Sequence, residues 1–166
     1  MYDKIMAVTG HRPDKVGGYS DEAFDRLTTF AEAMLAFYKP GTVITGMALG
    51  WDQAVAQACV NYKLPFWAYC PCRNQDKKWT SPESKELYAR LLGKAELVRY
   101  AINQDYPGAW CMQVRNEMMV DDSDYLAALY DGSPGGTANC VKYAQGRGKD
   151  IKQLWEPWQW FLANRC

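Results

Sequence analysis

The chain has 166 residues, with 19 Lys and Arg against 19 Asp and Glu, and 48% of its residues are hydrophobic. This length favours one globular domain over residues 1–166, because it is long enough for a full core but short for two. The net charge of zero excludes a general attraction to nucleic-acid backbones or anionic lipid. With no apolar run of roughly 18 residues and no secretory signal, we expect a cytoplasmic protein without a membrane partner.

The six cysteines form no recognisable metal or disulfide pattern. Cys70 and Cys72 make a C-x-C pair, but the chain has no C-x-x-C and only one histidine, His11. No metal site is therefore predicted. Disulfides are not expected without an export signal, and most of the thiols are predicted to be small apolar residues in the interior.

Short apolar runs alternate with amphipathic helical patterns along the chain. Strands are predicted at residues 4–9, 42–45, 66–70, 97–101, 125–130 and 151–154. Ser20 is predicted to cap the first helix and Ser81 the third, while the fourth and fifth helices cover residues 109–120 and 137–145. Unbroken apolar strands between helices predict a Rossmann-like α/β three-layer sandwich with a mostly parallel sheet.

Ligands of such sheets bind at the carboxyl ends of the strands, and the first predicted strand leads into residues 9–13 (TGHRP). Gly10 lets the backbone approach a ligand, and His11 and Arg12 supply hydrogen-bond donors suited to an anion. The alternative is a surface loop with a solvated arginine.

The second segment at that edge is residues 46–52 (GMALGWD). Its two glycines at a strand-to-helix turn leave backbone N–H groups that can hold phosphate. Asp52 either caps the following helix or accepts a hydrogen bond from a sugar hydroxyl. The segment is neither a G-x-G-x-x-G nor a Walker loop, and no separate cofactor is predicted. The ligand-binding residues predicted here are Gly46, Met47, Ala48, Gly50 and Asp52.

The third segment is residues 131–137 (DGSPGGT), after the fifth predicted strand. Its three glycines make a nest of backbone donors, which predicts phosphate or ribose binding. Thr137 is a natural helix cap, and the Asn139 amide lies in the first turn, where it could reach a ligand. The ligand-binding residues predicted here are Asp131, Gly132, Gly135, Gly136, Thr137 and Asn139.

Arg115 shares one face of the fourth predicted helix with Cys111, Met112 and Met119. An arginine in an apolar stripe needs a partner, because an unpaired buried charge is unfavourable. Two alternatives stay open. The arginine forms an internal ion pair with an aspartate (Asp121, Asp122, Asp124 or Asp131), or its guanidinium points toward a ligand, beside Asn116.

These segments resemble the SLOG superfamily of Rossmann-like nucleotide-binding proteins, over residues 8–144. Residues 44–52 are similar to the SG-x-A-x-G-[IV]-D loop of the DNA-processing protein A family. Residues 115–119, 123–124 and 135–137 are similar to motifs of the Lonely Guy phosphoribohydrolases. The strongest resemblance is to small stand-alone SLOG proteins with T-G-H-R-P and D-G-x-x-G-G-T-x-N, which are frequent in bacteria and their phages.

The resemblance implies a single SLOG-like domain that binds a small nucleotide or NAD-derived phosphorylated ligand, as a sensor, regulator or sponge. A nucleotide N-glycosidase is the alternative, with Arg115 and Asp131 as its catalytic residues. The phosphoribohydrolases carry a glutamate where this chain has Asn139, so Asp131, Asp52 or Glu117 would have to substitute. Single-stranded nucleic acid is a third candidate ligand, through residues 73–78, but it suits a neutral chain poorly.

The C-terminal segment, residues 155–161 (WEPWQWF), concentrates aromatic residues after the last predicted strand. Such a segment packs across the sheet, or it forms a contact with a second copy, because exposed aromatic residues mark interfaces. A homodimer is therefore predicted as the alternative to packing across the sheet.

Overall fold

A computed structural model describes residues 3–165 of the chain. Strands and helices alternate throughout, as the sequence predicts. The elements are β1 (Ile5–Gly10), α1 (Asp21–Tyr38), β2 (Thr42–Thr45), α2 (Trp51–Tyr62), β3 (Phe66–Cys70), α3 (Pro82–Lys94), β4 (Leu97–Tyr100), α4 (Trp110–Asp121), β5 (Tyr125–Leu129), α5 (Gly136–Gly146), β6 (Asp150–Gln153) and α6 (Trp155–Asn164). A short 3₁₀ turn, Pro13–Lys15, lies between β1 and α1.

The strands form one six-stranded sheet in the order β4-β3-β2-β1-β5-β6, and all neighbouring pairs are parallel. The chain moves outward from β1 to β4 and then crosses back to place β5 on the other side of β1. The sheet therefore reverses its winding direction between β1 and β5, which is where ligands of open α/β sheets bind. The predicted Rossmann-like α/β fold with a parallel sheet is confirmed.

Two apolar clusters cover the two faces of the sheet. One joins the sheet to α1, α2, α3 and α6, and it includes Leu27, Val55 and Leu91. The other joins the sheet to α4 and α5, and it includes Met119 and Cys140. Burial of both faces explains why the strands read as continuous apolar runs rather than as alternating ones.

Two of the predicted helix caps are confirmed. The Ser20 hydroxyl accepts a hydrogen bond from the Ala23 N–H, and the Ser81 hydroxyl accepts one from the Ser84 N–H. The prediction that Thr137 caps α5 is wrong, because the helix already begins at Gly136 and no side chain caps it.

Asp52 is not a helix cap either. It lies inside the first turn of α2, whose N-cap is Gly50. Its carboxylate accepts a hydrogen bond from the Ala48 N–H in the preceding loop, at 3.3 Å. The Asp52 side chain therefore holds the loop before the helix rather than the end of the helix itself.

The aromatic C-terminal segment packs on the sheet layer through one of its tryptophans. Trp158 is buried and contacts Phe30 and Phe161, which confirms packing across the molecule. Trp160 is 69% exposed, and the homodimer contact stays a prediction. The five cysteines within residues 3–165 are buried and unpaired, while Cys166 lies outside the described residues.

No helix within residues 3–165 combines the length and the apolar character needed to cross a bilayer.

Candidate functional site

A cleft of about 330 Å³ opens at the carboxyl ends of β1 and β5, where the sheet reverses its winding direction. Segments far apart in the chain converge there, including the loops after β1, β2 and β5 and one face of α4. Most of the predicted ligand-binding residues line it, namely Gly10, His11, Arg12, Ala48, Asp52, Arg115, Asn116, Gly135, Gly136 and Thr137. The carboxyl edge predicted from the sequence is thus the edge that carries a cleft.

Three predicted residues of the β2–α2 loop lie behind the cleft wall. Gly46, Met47 and Gly50 are all buried. The Gly46 carbonyl accepts hydrogen bonds from Arg115 and, at 3.0 Å, from the Gln75 amide. The structure therefore places the glycines of this loop in internal packing.

Three other predicted residues lie outside the cleft lining. Asn139 is exposed and faces a separate groove beside Lys142. Asp131 and Gly132 are exposed on the loop after β5, next to the cleft mouth. The Asp131 side chain contacts the cleft residues His11, Lys15 and Ser133, as described below.

Arg115 is the buried cation of the cleft. It is 6% exposed, and no aspartate or glutamate within residues 3–165 forms an ion pair with it. Its guanidinium donates to the carbonyl oxygen of Gly46 and, at 2.9 Å, to the Asn116 side-chain oxygen. Among residues 3–165, its Nη2 contacts only the Met112 sulfur, at 3.9 Å. The guanidinium is therefore held by neutral acceptors, and its positive charge is not cancelled by contact.

The aspartates that could have paired with Arg115 are engaged elsewhere. Asp121 pairs with Arg147, and Asp122 pairs with Arg99. Asp124 accepts the backbone N–H of Ile5, at 2.8 Å. Of the two alternatives left open by the sequence, the internal ion pair is wrong.

Asp52 is the buried anion of the cleft. It is 7% exposed, and burial raises the pKa of its carboxyl from 3.8 to about 6, against the opposing effects of Arg115, the Ala48 N–H and Arg12. One carboxylate oxygen accepts the Ala48 N–H. The other, Oδ1, is buried without a hydrogen-bond partner in the described part of the chain.

The mouth of the cleft is a polar network between the β1 and β5 loops. The Lys15 ammonium donates to the Ser133 hydroxyl at 2.9 Å and lies 3.6 Å from the Asp131 carboxylate. Hydrogen bonds from the Ser133 hydroxyl and amide, and the nearby His11, hold the pKa of Asp131 well below its ordinary value. Asp131 therefore carries a full negative charge at neutral pH.

The His11 ring connects the same two loops. Its Nε2 lies 3.0 Å from both the backbone nitrogen and the carboxylate of Asp131. An unprotonated Nε2 accepts the backbone N–H, whereas a protonated Nε2 donates to the carboxylate. Either tautomer ties the loop after β1 to the loop after β5.

The amino terminus of α5 completes the cleft. Gly135 has φ +150° and Gly136 follows it, and a Cβ atom on either residue would meet nothing within 4 Å. No side chain caps this helix, so its first N–H groups and the positive end of its dipole remain for another acceptor. Such a terminus is suited to bind an anion.

Sequence reasoning missed Lys15 and Ser133, which line the cleft and join its two loops. Lys15 lies three residues after Arg12, on the 3₁₀ turn, and an isolated loop lysine is ordinarily solvated. Ser133 lies inside the DGSPGGT segment, for which the prediction of ligand binding is based on the glycines. Their 118-residue separation in the chain hides the contact from any local pattern.

Among residues 3–165, no group of three or more His, Cys, Asp or Glu side chains is arranged to hold a metal ion.

The fold and the cleft together define a Rossmann-like α/β protein with a cation at the bottom of a cleft where the sheet reverses direction. Residues 6–154 match the model of the YspA SLOG family. The chain belongs to this family, and the SLOG resemblance predicted from the motifs is confirmed.

Two curated relatives cover most of this chain. The SPbeta prophage-derived protein YoqJ of Bacillus subtilis (strain 168) is 37% identical over 137 residues, which are 73% of this chain and 79% of the relative. A UPF0398 protein of Bacillus cereus (strain G9842) is 26% identical over 161 residues, 88% of this chain and 85% of the relative.

Solved structures share the fold at low sequence identity. DNA processing protein A of Helicobacter pylori, described for its single-stranded DNA binding mode, has a TM-score of 0.64 and 17% identity, over 92% of this chain and 65% of that one. The Streptococcus pneumoniae protein has a TM-score of 0.66 and 14% identity, over 91% of this chain and 50% of that one. The chain thus spans between half and two thirds of those proteins. A molybdenum cofactor binding protein from Rippkaea orientalis has a TM-score of 0.59 and 15% identity, over 99% of this chain and 85% of that one.

Proposed function

We propose that the cleft binds a small phosphorylated nucleoside or a similar nucleotide-derived molecule, and that the protein acts by binding it, as a sensor, regulator or sponge. The observation that carries this proposal is the Arg115 guanidinium. It is buried in the cleft, and its hydrogen bonds go to neutral acceptors. A buried positive charge without an anionic contact is costly, and an anionic ligand removes that cost.

Three further features support an anion in this place. The uncapped amino terminus of α5 offers backbone N–H groups and a positive dipole end. Arg12 and Lys15 line the same cleft from the β1 loop. Together these groups offer donors to a phosphate from the loops after β1 and β5, on either side of the point where the sheet reverses direction.

The size of the cleft limits the ligand. Small-molecule sites are generally about 300–1,000 Å³, and this cleft is about 330 Å³. A single nucleotide suits that volume better than a dinucleotide does. Structural neighbours described for molybdenum cofactor and single-stranded DNA also bind molecules that carry phosphate.

The test is to denature the purified protein, identify any released nucleotide by mass spectrometry, and titrate a panel of nucleoside monophosphates by calorimetry. We expect Arg12→Ala to weaken binding at least tenfold through the loss of a charged contact, about 1.4 kcal/mol or more. We expect Arg115→Met to abolish it. Arg99→Ala is the matched control, because Arg99 is a surface arginine paired with Asp122.

Unchanged affinity in both cleft variants would refute the anion site. Because Arg115 also holds the Gly46 carbonyl, circular dichroism must show that its variant folds. Arg12 is exposed and its replacement tests the site without that concern.

Hydrolysis of an N-glycosidic bond is the second candidate function, and Asp52 is the observation that favours it. The sequence predicts Arg115 and Asp131 as the catalytic pair, but Asp131 is held as an anion by Ser133 and His11. Asp52 lines the cleft with a pKa raised to about 6, which suits proton transfer near neutral pH. Incubation with nucleoside monophosphates would then release free base, and Asp52→Asn would stop the release.

A further inference from the structure

We infer that Asp52 accepts a hydrogen bond from a sugar hydroxyl of the ligand, so that the cleft selects ribose phosphates over their deoxyribose counterparts. This inference rests on the proposed function, since it assigns the ligand class for the same cleft. It assigns to Asp52 a recognition role that does not require any chemical step.

The first argument is the unpartnered oxygen. Asp52 Oδ2 accepts the Ala48 N–H at 3.3 Å, while Oδ1 is buried without a partner in the region that the structure describes. Buried polar atoms in folded proteins nearly always have a hydrogen-bond partner, and an unmade bond to a charged group is costly. Because Asp52 lines the cleft, a ligand hydroxyl that reaches its side chain there would supply the missing donor.

The second argument is the charge around Asp52. Arg115 from α4 and Arg12 from the loop after β1 both act on its carboxylate, and Asp52 in turn raises the pKa of the Cys140 thiol of α5. None of these groups is hydrogen-bonded to Asp52 among residues 3–165. With two cations already close, a neutral donor such as a hydroxyl is enough to satisfy the remaining oxygen without adding a further charge.

The third argument is the division of the cleft. The anion donors are Arg115 on α4, the α5 terminus and the side chains of the β1 loop, whereas Asp52 comes from the first turn of α2. In a 5′-phosphorylated nucleoside, the sugar follows the phosphate directly and carries the next hydrogen-bond donors. A phosphate held by Arg115 and the α5 terminus would therefore bring hydroxyl groups, and not a second anion, toward Asp52.

The experiment measures the affinity of the whole protein for the four ribonucleoside 5′-monophosphates, their 2′-deoxy and 3′-deoxy analogues, and inorganic phosphate, by calorimetry. A hydrogen bond to a charged group predicts a preference of roughly 10- to 100-fold for the ribonucleotide over the analogue that lacks the contacted hydroxyl. This comparison uses the unaltered protein, so it does not depend on any variant folding.

Asp52→Asn sharpens the test. The amide oxygen of the new side chain must keep the Ala48 N–H, so the amide nitrogen replaces Oδ1 and turns the acceptor into a donor. We expect the ribose preference to fall below about threefold in this variant, the residual allowed for a neutral hydrogen bond. Asp25→Asn removes the same charge from the exposed surface of α1 and should leave the preference intact.

The outcomes separate the two proposals. Equal affinity for ribose and deoxyribose compounds, with binding still weakened at least tenfold in Arg12→Ala, overturns the role of Asp52 and keeps the anion site. A ribose preference that survives Asp52→Asn also overturns it, as does inorganic phosphate binding as tightly as the nucleotides. Absence of binding by every compound overturns the proposed function together with this inference.

Discussion

The two glycine-rich loops at the carboxyl edge of the sheet look alike in sequence but differ in structure. In the loop between β2 and α2, a Cβ atom on Gly50 would lie 2.8 Å from the His11 carbonyl oxygen, and one on Gly46 would lie 2.6 Å from the Arg115 guanidinium. In the loop between β5 and α5, a Cβ atom on Gly135 or Gly136 would meet nothing within 4 Å. The glycines of the first loop allow other parts of the protein to pack against its backbone, whereas those of the second leave empty space beside the cleft.

A similar contrast holds for the aspartates next to the two loops, Asp52 in the first turn of α2 and Asp131 in the loop after β5. Burial raises the pKa of Asp52, which follows the loop between β2 and α2, to about 6. Hydrogen bonds from Ser133, in the loop between β5 and α5, hold the pKa of Asp131 below its ordinary value. The charged form of Asp52 thus lowers the stability of the folded protein, whereas the charged form of Asp131 raises it. Proteins commonly keep such a cost where a ligand later removes it.

The largest expected effect is that of Gly50→Ala. Gly50 has φ +92°, and the atoms that a Cβ would meet belong to the backbone of residues 11–13, so they cannot move aside cheaply. We expect the free energy of unfolding to fall by about 3 kcal/mol or more, measured by urea denaturation. An equal loss in Gly136→Ala would show that the two loops do not differ.

The second effect concerns Asp52→Asn. Because the pKa of Asp52 is raised from 3.8 to about 6, the folded state binds this proton more tightly than the unfolded chain does. The wild-type protein therefore loses stability as the pH rises from 4 to beyond 6, and the uncharged variant does not. We expect the variant to be more stable at pH 8, by up to about 3 kcal/mol, and the difference to vanish near pH 4. Thermal unfolding of both proteins across this range measures it, and a less stable variant at pH 8 would contradict it.

A smaller effect is expected for Gly136→Ala. The residue opens α5 and its Cβ would point into free space, so stability should change by less than about 1 kcal/mol, in the favourable direction. Affinity for nucleoside monophosphates should nevertheless fall at least tenfold, about 1.4 kcal/mol, because the new methyl group takes space beside the helix terminus. Calorimetry measures the affinity, and an unchanged value would mean that the space is not part of the ligand site.

The smallest effect is expected for Asp131→Asn, and its pH dependence is opposite in sign to that of Asp52→Asn. The lowered pKa of Asp131 means that its charge favours the folded state above the ordinary carboxyl pKa. This contribution disappears as the pH falls through the folded-state value. The melting temperature of the variant should therefore be slightly below that of the wild type at pH 7 and should approach it in acid. A variant that is more stable at pH 7 would contradict the assignment.

The sequence allowed the sheet and its functional edge to be predicted because both follow from local patterns. Apolar runs, the Ser20 and Ser81 caps and the glycine segments are each contained within a few neighbouring residues. The same holds for Arg115, whose place in an apolar stripe marked it as a residue in need of a partner. The strand order, which puts β5 beside β1, agrees with the convergence of the first and third segments at one cleft.

Other features could not be predicted because they depend on contacts between distant residues. The Gly46 carbonyl and Arg115 are 69 positions apart, and His11 and Asp131 are 120 apart. Only the folded sheet shows that Gly46 serves the arginine rather than a phosphate, or that Asn139 faces another groove. The isolated oxygen of Asp52 depends on the loop conformation around Ala48, which composition does not specify.

The anchoring of Arg115 also fixes how far into the cleft a partner must reach. Its guanidinium cannot extend outward without breaking its bonds to the Gly46 carbonyl and the Asn116 side chain. The position of the guanidinium in the cleft is therefore fixed, and the ligand has to reach it. Under the proposed function, a ligand would need a narrow anionic group to contact this guanidinium, and a broader molecule would leave the charge without a counter-ion.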